Sequence, residues 1–153
     1  LVGIMAPMKH YILCSLIFLL ALLLGGCAST GPKPAPHSRA TEISMRATGY
    51  CKCKQCCGWK RTWYGKAVVK GTKQKKAIGV TASGTKAKPG TIAADTRKYP
   101  FGTVMYIPGY GYGRVEDRGS AIQGEHIDLF FKSHREALQW GSKTVPVKVF
   151  TPR

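Results

Sequence analysis

The sequence predicts a mainly β domain, folded as a small closed or nearly closed barrel with one short helix. Seven short apolar segments lie within about 110 residues, and glycine or proline bounds most of them. Along the first segment Ile43, Met45 and Ala47 alternate with polar neighbours, which is typical of a strand with one buried face. Many short strands in so small a domain favour a barrel over an open sheet.

The predicted strands follow one another from residue 42 to residue 150. They cover residues 42–50, 77–83, 91–96, 103–109, 113–117, 126–131 and 144–150. Between the first two of them, residues 60–77 are basic and aromatic without a clear period. This segment is predicted to be a surface excursion.

One helix is predicted between the last two strands. Ser133 followed by Glu136 forms a capping-box pair, and Gly141 stands where a helix stop in the left-handed conformation belongs. The intervening residues favour helix, so two turns are expected.

The N-terminal quarter is predicted to be an export signal rather than folded protein. Lys9 and His10 precede an apolar run at residues 11–24, and small residues follow it. The run is shorter than the roughly 20 residues that a membrane-spanning helix needs.

Residues 24–27, Leu-Gly-Gly-Cys, resemble the bacterial lipobox. The resemblance implies cleavage before Cys27 and lipid attachment to its thiol; the alternative is a plain secretory signal with a chance cysteine. We therefore expect a signal peptide over residues 1–26, a lipidated cysteine and flexible tether over 27–42, and the folded domain over 43–153. Ala28 is compatible with anchoring in an outer membrane, facing the periplasm.

The formal net charge of +17 predicts anionic partners. For an exported protein these are lipid headgroups or cell-wall polymer carrying carboxylates, whereas nucleic acid is disfavoured. A purely solubilising role for the charge is the alternative.

Four cysteines cluster in the segment CKCKQCC, at residues 51–57. Outside the cytosol, Cys51, Cys53, Cys56 and Cys57 most often form two disulfides, which is the preferred prediction. A metal site and redox-active thiols remain alternatives.

Three acids are candidates for chemistry: Asp95, Asp117 and Asp128. A period of two in HIDLFF places Asp128 on one strand face with Phe130, opposite Ile127 and Leu129. A carboxyl in such apolar surroundings loses water, and a second ionised acid nearby would raise its pKa further. Capping of turns through backbone N–H groups is the structural alternative for each aspartate.

Long collinear motifs resemble the three-aspartate, or 3D, domain. They include ATGY (47–50), CKCKQCCG (51–58), GVTASGT (79–85), GTIAADTRKYPFGTVMYIPGYG (90–111), VEDRGSAIQGEHIDLFF (115–131) and EALQWGSKTVPVKVF (136–150). This family is similar to the catalytic domain of membrane-bound lytic transglycosylase A and to the stationary-phase survival proteins. The resemblance implies a six-stranded double-psi β-barrel.

It also implies cleavage of peptidoglycan glycan strands between N-acetylmuramic acid and N-acetylglucosamine, with 1,6-anhydromuramyl ends as product. Asp128 inherits the role of general acid and base, and Asp117 and Asp95 inherit supporting roles. No cofactor or metal is required. Four further residues are expected to line the sugar groove: Thr81, Ser83, Gly119 and Ala121.

Two residues depart from the family pattern after the second aspartate. Arg118 and Ser120 stand where small residues are usual, and Arg118 is positioned to pair with a site acid and lower its pKa. The alternative function is a wall-binding lipoprotein without catalysis.

Overall fold

The structure is a computed structural model that describes residues 31–35 and 38–150. The predicted signal peptide and Cys27 lie outside these residues. Within the described part of the chain, no helix is both long and apolar enough to cross a bilayer.

Eight strands and one helix succeed one another along the described residues. They are β1 (Ala40–Tyr50), β2 (Trp59–Arg61), β3 (Ala67–Val69), β4 (Thr91–Ala93), β5 (Val104–Ile107), β6 (Gly111–Asp117), β7 (His126–Phe130), α1 (His134–Trp140) and β8 (Lys143–Phe150).

Six of these strands close into a barrel in the order β1-β7-β4-β6-β5-β8. The first and last strands pair antiparallel from Ala40 with Phe150 to Ala47 with Lys143. Two of the strand pairs, β1 with β7 and β4 with β6, run parallel. The prediction of a mainly β, six-stranded barrel with one helix is confirmed.

Alternate residues of the barrel strands fill its interior. In β7, Ile127 and Leu129 are fully buried in the main core, and in β1 Met45 and Ala47 join them. The intervening residues of the same strands project to the opposite face. This outer face carries the candidate site.

The helix forms where its caps predict it. The side chain of Ser133 accepts a hydrogen bond from the Glu136 N–H, and the N–H of Gly141, at φ 70°, donates to the Ala137 carbonyl. Gly49 allows α1 to pack closely on β1, because a Cβ there would stand 2.9 Å from the Ala137 carbonyl oxygen. The middle of α1 therefore lies beside the end of β1.

The predicted strand at residues 77–83 is wrong. Gly79 has φ 72°, and the chain then turns from Thr81 to Thr85, where the Thr81 N–H donates to the Thr85 carbonyl at 2.9 Å. An isolated bridge joins Val80 to Lys86. Because threonine and serine hydroxyls satisfy the turn's own backbone groups, this β-branched segment does not need a strand partner.

The structure differs from the prediction in two other places. The basic excursion contains a small sheet of its own, in which β2 pairs antiparallel with β3. The barrel also begins earlier than residue 43, because Ala40, Thr41 and Glu42 already pair with β8. These three residues belong to the folded domain and not to the tether.

Candidate active site

Two of the three candidate aspartates lie in one row across the barrel wall. In the parallel pair of β1 and β7, Thr48 is opposite Asp128; β4 then places Ala93 opposite Asp128 on one side and opposite Asp117 on the other. Strands lie about 4.8 Å apart, so the two acids stand about 10 Å apart at their Cα atoms. Directly opposed residues project to the same face of a sheet, so both acids border one site.

A bulge in β6 places Asp117 in this row. Ile92 pairs with Val115, yet the next residue, Ala93, pairs with Asp117, so Glu116 is the extra residue. Without the bulge, Glu116 would stand opposite Ala93, and Asp117 would share the core face of Val115. The side chain of Glu116 instead accepts a hydrogen bond from the Thr91 hydroxyl at 2.8 Å.

The acids border a cavity of about 590 Å³ on the outside of the barrel. Tyr50, Ala93 and Phe130 form a small apolar cluster beneath it, with the two aromatic rings edge to face at 5.4 Å. Loops 76–82 and 118–122 supply its walls, and Thr81 and Gly119 line it. We call this cavity the acid cleft.

Asp128 is half-buried in the acid cleft. Burial raises the pKa of its carboxyl above the ordinary aspartate value, and the charge of Asp117 raises it further. A hydrogen bond from Thr48, 2.8 Å from Thr48 Oγ1 to Asp128 Oδ1, and the nearby His126 oppose this rise in pKa. Since the rise prevails, Asp128 is the cleft acid best suited to carry a proton.

Thr48 connects Asp128 to His126. A hydroxyl has one proton, and with that proton donated to Asp128, the Thr48 oxygen accepts from His126 Nε2 at 3.1 Å. The imidazole, the hydroxyl and the carboxyl thus form a short chain of hydrogen bonds. It fixes the rotamer of Asp128 toward the cleft.

Asp117 is held by three hydrogen-bond donors. The Tyr50 hydroxyl donates to one carboxylate oxygen at 3.1 Å, and the N–H groups of Ala82 and Arg118 donate to the other at 2.9 Å each. Burial raises the pKa of Tyr50, so its hydroxyl remains a donor. These contacts orient Asp117 and join the two cleft loops to β6.

The departure at Arg118 does not neutralise a cleft acid. Arg118 meets Asp117 through its backbone N–H, and its guanidinium forms no ion pair with a carboxylate among the residues that the structure describes. It lines the acid cleft together with Lys52 and Lys76. The cleft therefore has a cationic wall around its two acids.

Asp95 lies outside the acid cleft. Its side chain is 8% exposed and bonds Arg97 through both carboxylate oxygens, at 2.9 and 2.8 Å. It also accepts from the Gly124 N–H at 3.1 Å, and these bonds, that of Arg97 foremost, hold its pKa well below the usual range. Asp95 borders a neighbouring cavity with Gly119 and Ser120, so its place is structural support behind the cleft loop.

Two predicted groove residues do not line the acid cleft. The Ser83 hydroxyl contacts Thr81 and Thr85, and the Ser83 N–H donates to the Glu116 carbonyl at 3.0 Å. Ala121 is exposed and lies beyond the cleft-lining part of its loop. Ser83 instead fastens the turn after β3 to β6.

The site contains three residues that the sequence analysis did not predict as site residues: Thr48, Tyr50 and His126. All three lie on strands whose outer-face residues the period of two identifies. This alternation was the only sequence signal for these residues. The sequence did not show the parallel register that places Thr48 opposite Asp128.

The cysteines do not form the predicted disulfides in this structure. Cys51, Cys53, Cys56 and Cys57 are free, and the shortest recorded Sγ–Sγ contact, from Cys51 to Cys56, is 3.8 Å against about 2.05 Å for a disulfide. Three of the thiols instead converge on the imidazole of His134. Cys56 and Cys57 also line the acid cleft.

Comparison with known proteins identifies a 3D domain, whose family model matches residues 90–151. YabE of Bacillus subtilis, named as a cell wall shaping protein, is 41% identical over 75 residues, which are 46% of this chain and 18% of YabE. The cell wall-binding protein YocH of the same organism is 43% identical over 75 residues, 46% of this chain and 26% of YocH. The chain thus spans about a quarter or less of these relatives.

Solved structures similar to the chain include two of MltA from E. coli. The structure with bound chitohexaose is 19% identical, covers 58% of this chain and 33% of MltA, and has a TM-score of 0.43. A second MltA structure is 21% identical, covers 59% and 32%, and has a TM-score of 0.41.

Proposed function

We propose that this chain, which carries a 3D domain, is an exported peptidoglycan lytic transglycosylase. One observation carries the proposal: a half-buried aspartate, Asp128, whose pKa is raised, stands in a cleft beside a second aspartate, Asp117. A raised pKa favours the protonated carboxyl that donates a proton to a glycosidic oxygen.

Peptidoglycan as the substrate is supported by sequence relatives and by charge. Two relatives are named for cell wall shaping and cell wall binding. Lys52, Lys76 and Arg118 line the cleft, and they suit a polymer whose peptide stems carry carboxylates. Tyr50 and Phe130 are buried and form the apolar floor beneath these cations.

In the proposed reaction, Asp128 serves twice. As an acid it gives its proton to the glycosidic oxygen while the bond from muramyl C1 to that oxygen breaks. As a carboxylate it then takes the proton of the muramyl C6 hydroxyl, whose oxygen bonds to C1 and closes the 1,6-anhydro ring. The carboxyl regains its proton, and no water is consumed.

The neighbouring groups support this double role. The charge of Asp117 raises the pKa of Asp128 before the first step, and Thr48 steadies the carboxylate that the first step leaves. Thr81 and Gly119 contact the glycan from the two loops. Asp95 supports the loop that carries Gly119 and takes no part in proton transfer.

Digestion of purified sacculi tests the proposal. The full chain in mild detergent should release products with anhydromuramyl ends, detected by mass spectrometry, and Asp128→Asn should not. Glu42→Gln is the matched control, because it removes one carboxylate from an exposed position of β1 away from the cleft. Hydrolytic ends without anhydro sugars, or undiminished anhydro ends from Asp128→Asn, would contradict the proposal.

A non-catalytic wall-binding protein is the second candidate. Trp63 is 96% exposed and Tyr64 is 55% exposed, both between β2 and β3, with basic residues beside them. Exposed aromatic rings among cations suit adhesion to a glycan polymer carrying acids. Co-sedimentation with sacculi that is abolished by Trp63→Ala, with no anhydro products from the parent, would favour this function.

We further propose that the domain is anchored by lipid at Cys27, with residues 1–26 removed. Fatty-acid labelling of the full chain in bacteria, lost in Cys27→Ser and kept in Cys14→Ser, tests the anchor. Membrane fractionation then tests placement in the outer membrane.

A further inference from the structure

We propose that Cys51, Cys53, Cys56 and His134 form a zinc site separate from the acids that carry the proposed chemistry. One candidate ligand atom from each residue lies within 4.8 Å of the other three. Three come from the stretch after β1, and the fourth opens α1, which is 78 residues beyond Cys56. Folding alone brings the imidazole to the thiols.

The distances fit one tetrahedral ion. Zinc lies about 2.3 Å from sulfur and about 2.0–2.1 Å from imidazole nitrogen, so a tetrahedron needs about 3.8 Å between sulfurs and about 3.5 Å from sulfur to nitrogen. Cys51 Sγ and Cys56 Sγ are 3.8 Å apart. The Nδ1 atom of His134 is 3.3 Å from Cys56 Sγ and 3.7 Å from Cys53 Sγ.

The fourth cysteine of the motif is directed elsewhere. The Cys57 thiol donates to the Cys51 carbonyl at 3.1 Å and does not belong to the cluster. Pairing all four cysteines in two disulfides would leave none of these thiols free to bind a metal as a thiolate. Three cysteines of the motif are therefore candidate ligands and the fourth is not. Together with His134, the three cysteines have the composition of a Cys₃His zinc site.

The donor set selects the metal. Three thiolates and an imidazole are ligands for zinc, whereas calcium and magnesium need oxygen. The Cys56 N–H donates to Cys53 Sγ at 3.4 Å, a contact of the kind that supports metal-bound thiolates. Four protein ligands leave no open position, so the ion's role is structural.

The site would fasten the helix to the wall of the acid cleft. Cys51 follows Tyr50 directly, Cys56 lines the cleft, and α1 packs on β1 at Gly49. A zinc ion joining them fixes the cleft-side end of β1 against the start of α1. This connection holds whether or not the cleft cleaves glycan.

Metal content of the full chain tests the proposal. Protein purified in mild detergent under a thiol reductant, with zinc supplied during growth, should hold one zinc ion per chain by elemental analysis. Replacement by cobalt(II) should give the thiolate-to-cobalt charge-transfer band of a tetrahedral site. Metal well below one equivalent in the folded parent would overturn the proposal.

Matched variants locate the ligands. Cys53→Ser and His134→Ala should each weaken zinc affinity by about 100-fold or more, because loss of a ligand costs at least as much as loss of a supporting contact. Cys57→Ser should retain one equivalent, and His134→Cys should restore zinc binding that His134→Ala loses. Loss of zinc in Cys57→Ser, or full retention in His134→Ala, would overturn the assignment.

Alkylation of the parent separates zinc from disulfides. In the zinc site, a chelator should expose Cys51, Cys53 and Cys56 to alkylation without any reductant, as mass spectrometry of peptides would show. Peptides of protein exported to the envelope that yield these cysteines only after reduction would overturn the proposal in favour of disulfides.

Discussion

The loop that carries Asp95 and the strand that carries Asp128 give their aspartate side chains opposite environments. Asp95 is bonded through both oxygens to Arg97, which is itself 76% exposed, and its pKa is held well below the usual range. Asp128 has no arginine partner among the described residues, and burial raises its pKa. One carboxyl is kept charged, and the other is made able to hold a proton.

The difference teaches that an acid's role follows from its donors and its burial, and not from its place in a motif. Asp95 accepts from Arg97 and from the Gly124 N–H, so its charge ties two loops together. Asp128 accepts its side-chain hydrogen bond from a neutral hydroxyl, that of Thr48. Of the three candidate aspartates, the geometry favours only Asp128 as the proton donor.

The largest expected effect distinguishes the two acids by rate. Asp128→Asn should lower the release of anhydromuramyl products by about 10²–10⁴-fold, because it removes the general acid. Asp95→Asn should lose far less, because Asp95 does not touch the cleft. Initial rates on sacculi check this, with each variant's folding verified by circular dichroism. Equal losses of rate in the two variants would contradict the different roles assigned to Asp95 and Asp128.

The two acids should also have opposite effects on stability against pH. The lowered pKa of Asp95 means that its charge stabilises the fold above about pH 4, and that this contribution is lost as the pH falls below the ordinary aspartate value. The raised pKa of Asp128 means that its neutral form is favoured, and that stability is lost as the pH rises above about 4.

Thermal melts at pH 7 should therefore show Asp95→Asn below the parent and Asp128→Asn above it. Both differences should shrink as the pH is lowered below about 4. A lower melting temperature for Asp128→Asn at pH 7 would contradict the raised pKa.

Replacing Thr48 tests how its hydrogen bond affects the pKa of Asp128. Thr48→Val removes a hydrogen bond that lowers the pKa of Asp128, so the ionisation of Asp128 in the pH–rate profile should move to higher pH. Unfolding free energy should fall by about 1–3 kcal/mol, because a half-buried carboxyl loses its partner. Thr41→Val, at an exposed position of the same strand, is the control and should leave the profile unchanged. A shift to lower pH would contradict the assignment.

Replacing Arg97 gives the smallest expected effect. Arg97→Met should raise the pKa of Asp95 toward the ordinary value, measurable by NMR titration of its carboxyl carbon. Stability should change little, because the guanidinium is largely exposed and water screens the ion pair. Lys98→Met, which removes the partner of Glu125, is the control for loss of a nearby cation. An unmoved pKa of Asp95 would contradict the cause given for its shift.

Local pattern predicted the barrel well. Six of the seven predicted strands coincide with barrel strands, because glycine and proline mark their ends and alternation marks their buried faces. The failure at residues 77–83 has a local cause, since hydroxyl groups close the Thr81–Thr85 turn. The sheet of β2 and β3 was missed because two three-residue strands are too short to show a period.

The site was predictable only where single strands define it. Alternation placed Asp128 opposite the core, but no local signal could show the bulge that turns Asp117 toward the cleft or the register that adds Thr48. His134 was missed for the same reason. Its distance along the chain from the cysteines hides a contact that the fold creates.

The pairing of β1 with β8 has a consequence for when the chain folds. The strand that begins the barrel needs as its neighbour the strand that ends it, so closure must wait until residue 150 has been made. Until then the newly made polypeptide has an open edge and no complete core. During this delay the unfolded polypeptide can pass through a translocation channel. The apolar segment at residues 11–24 predicts such export for this chain.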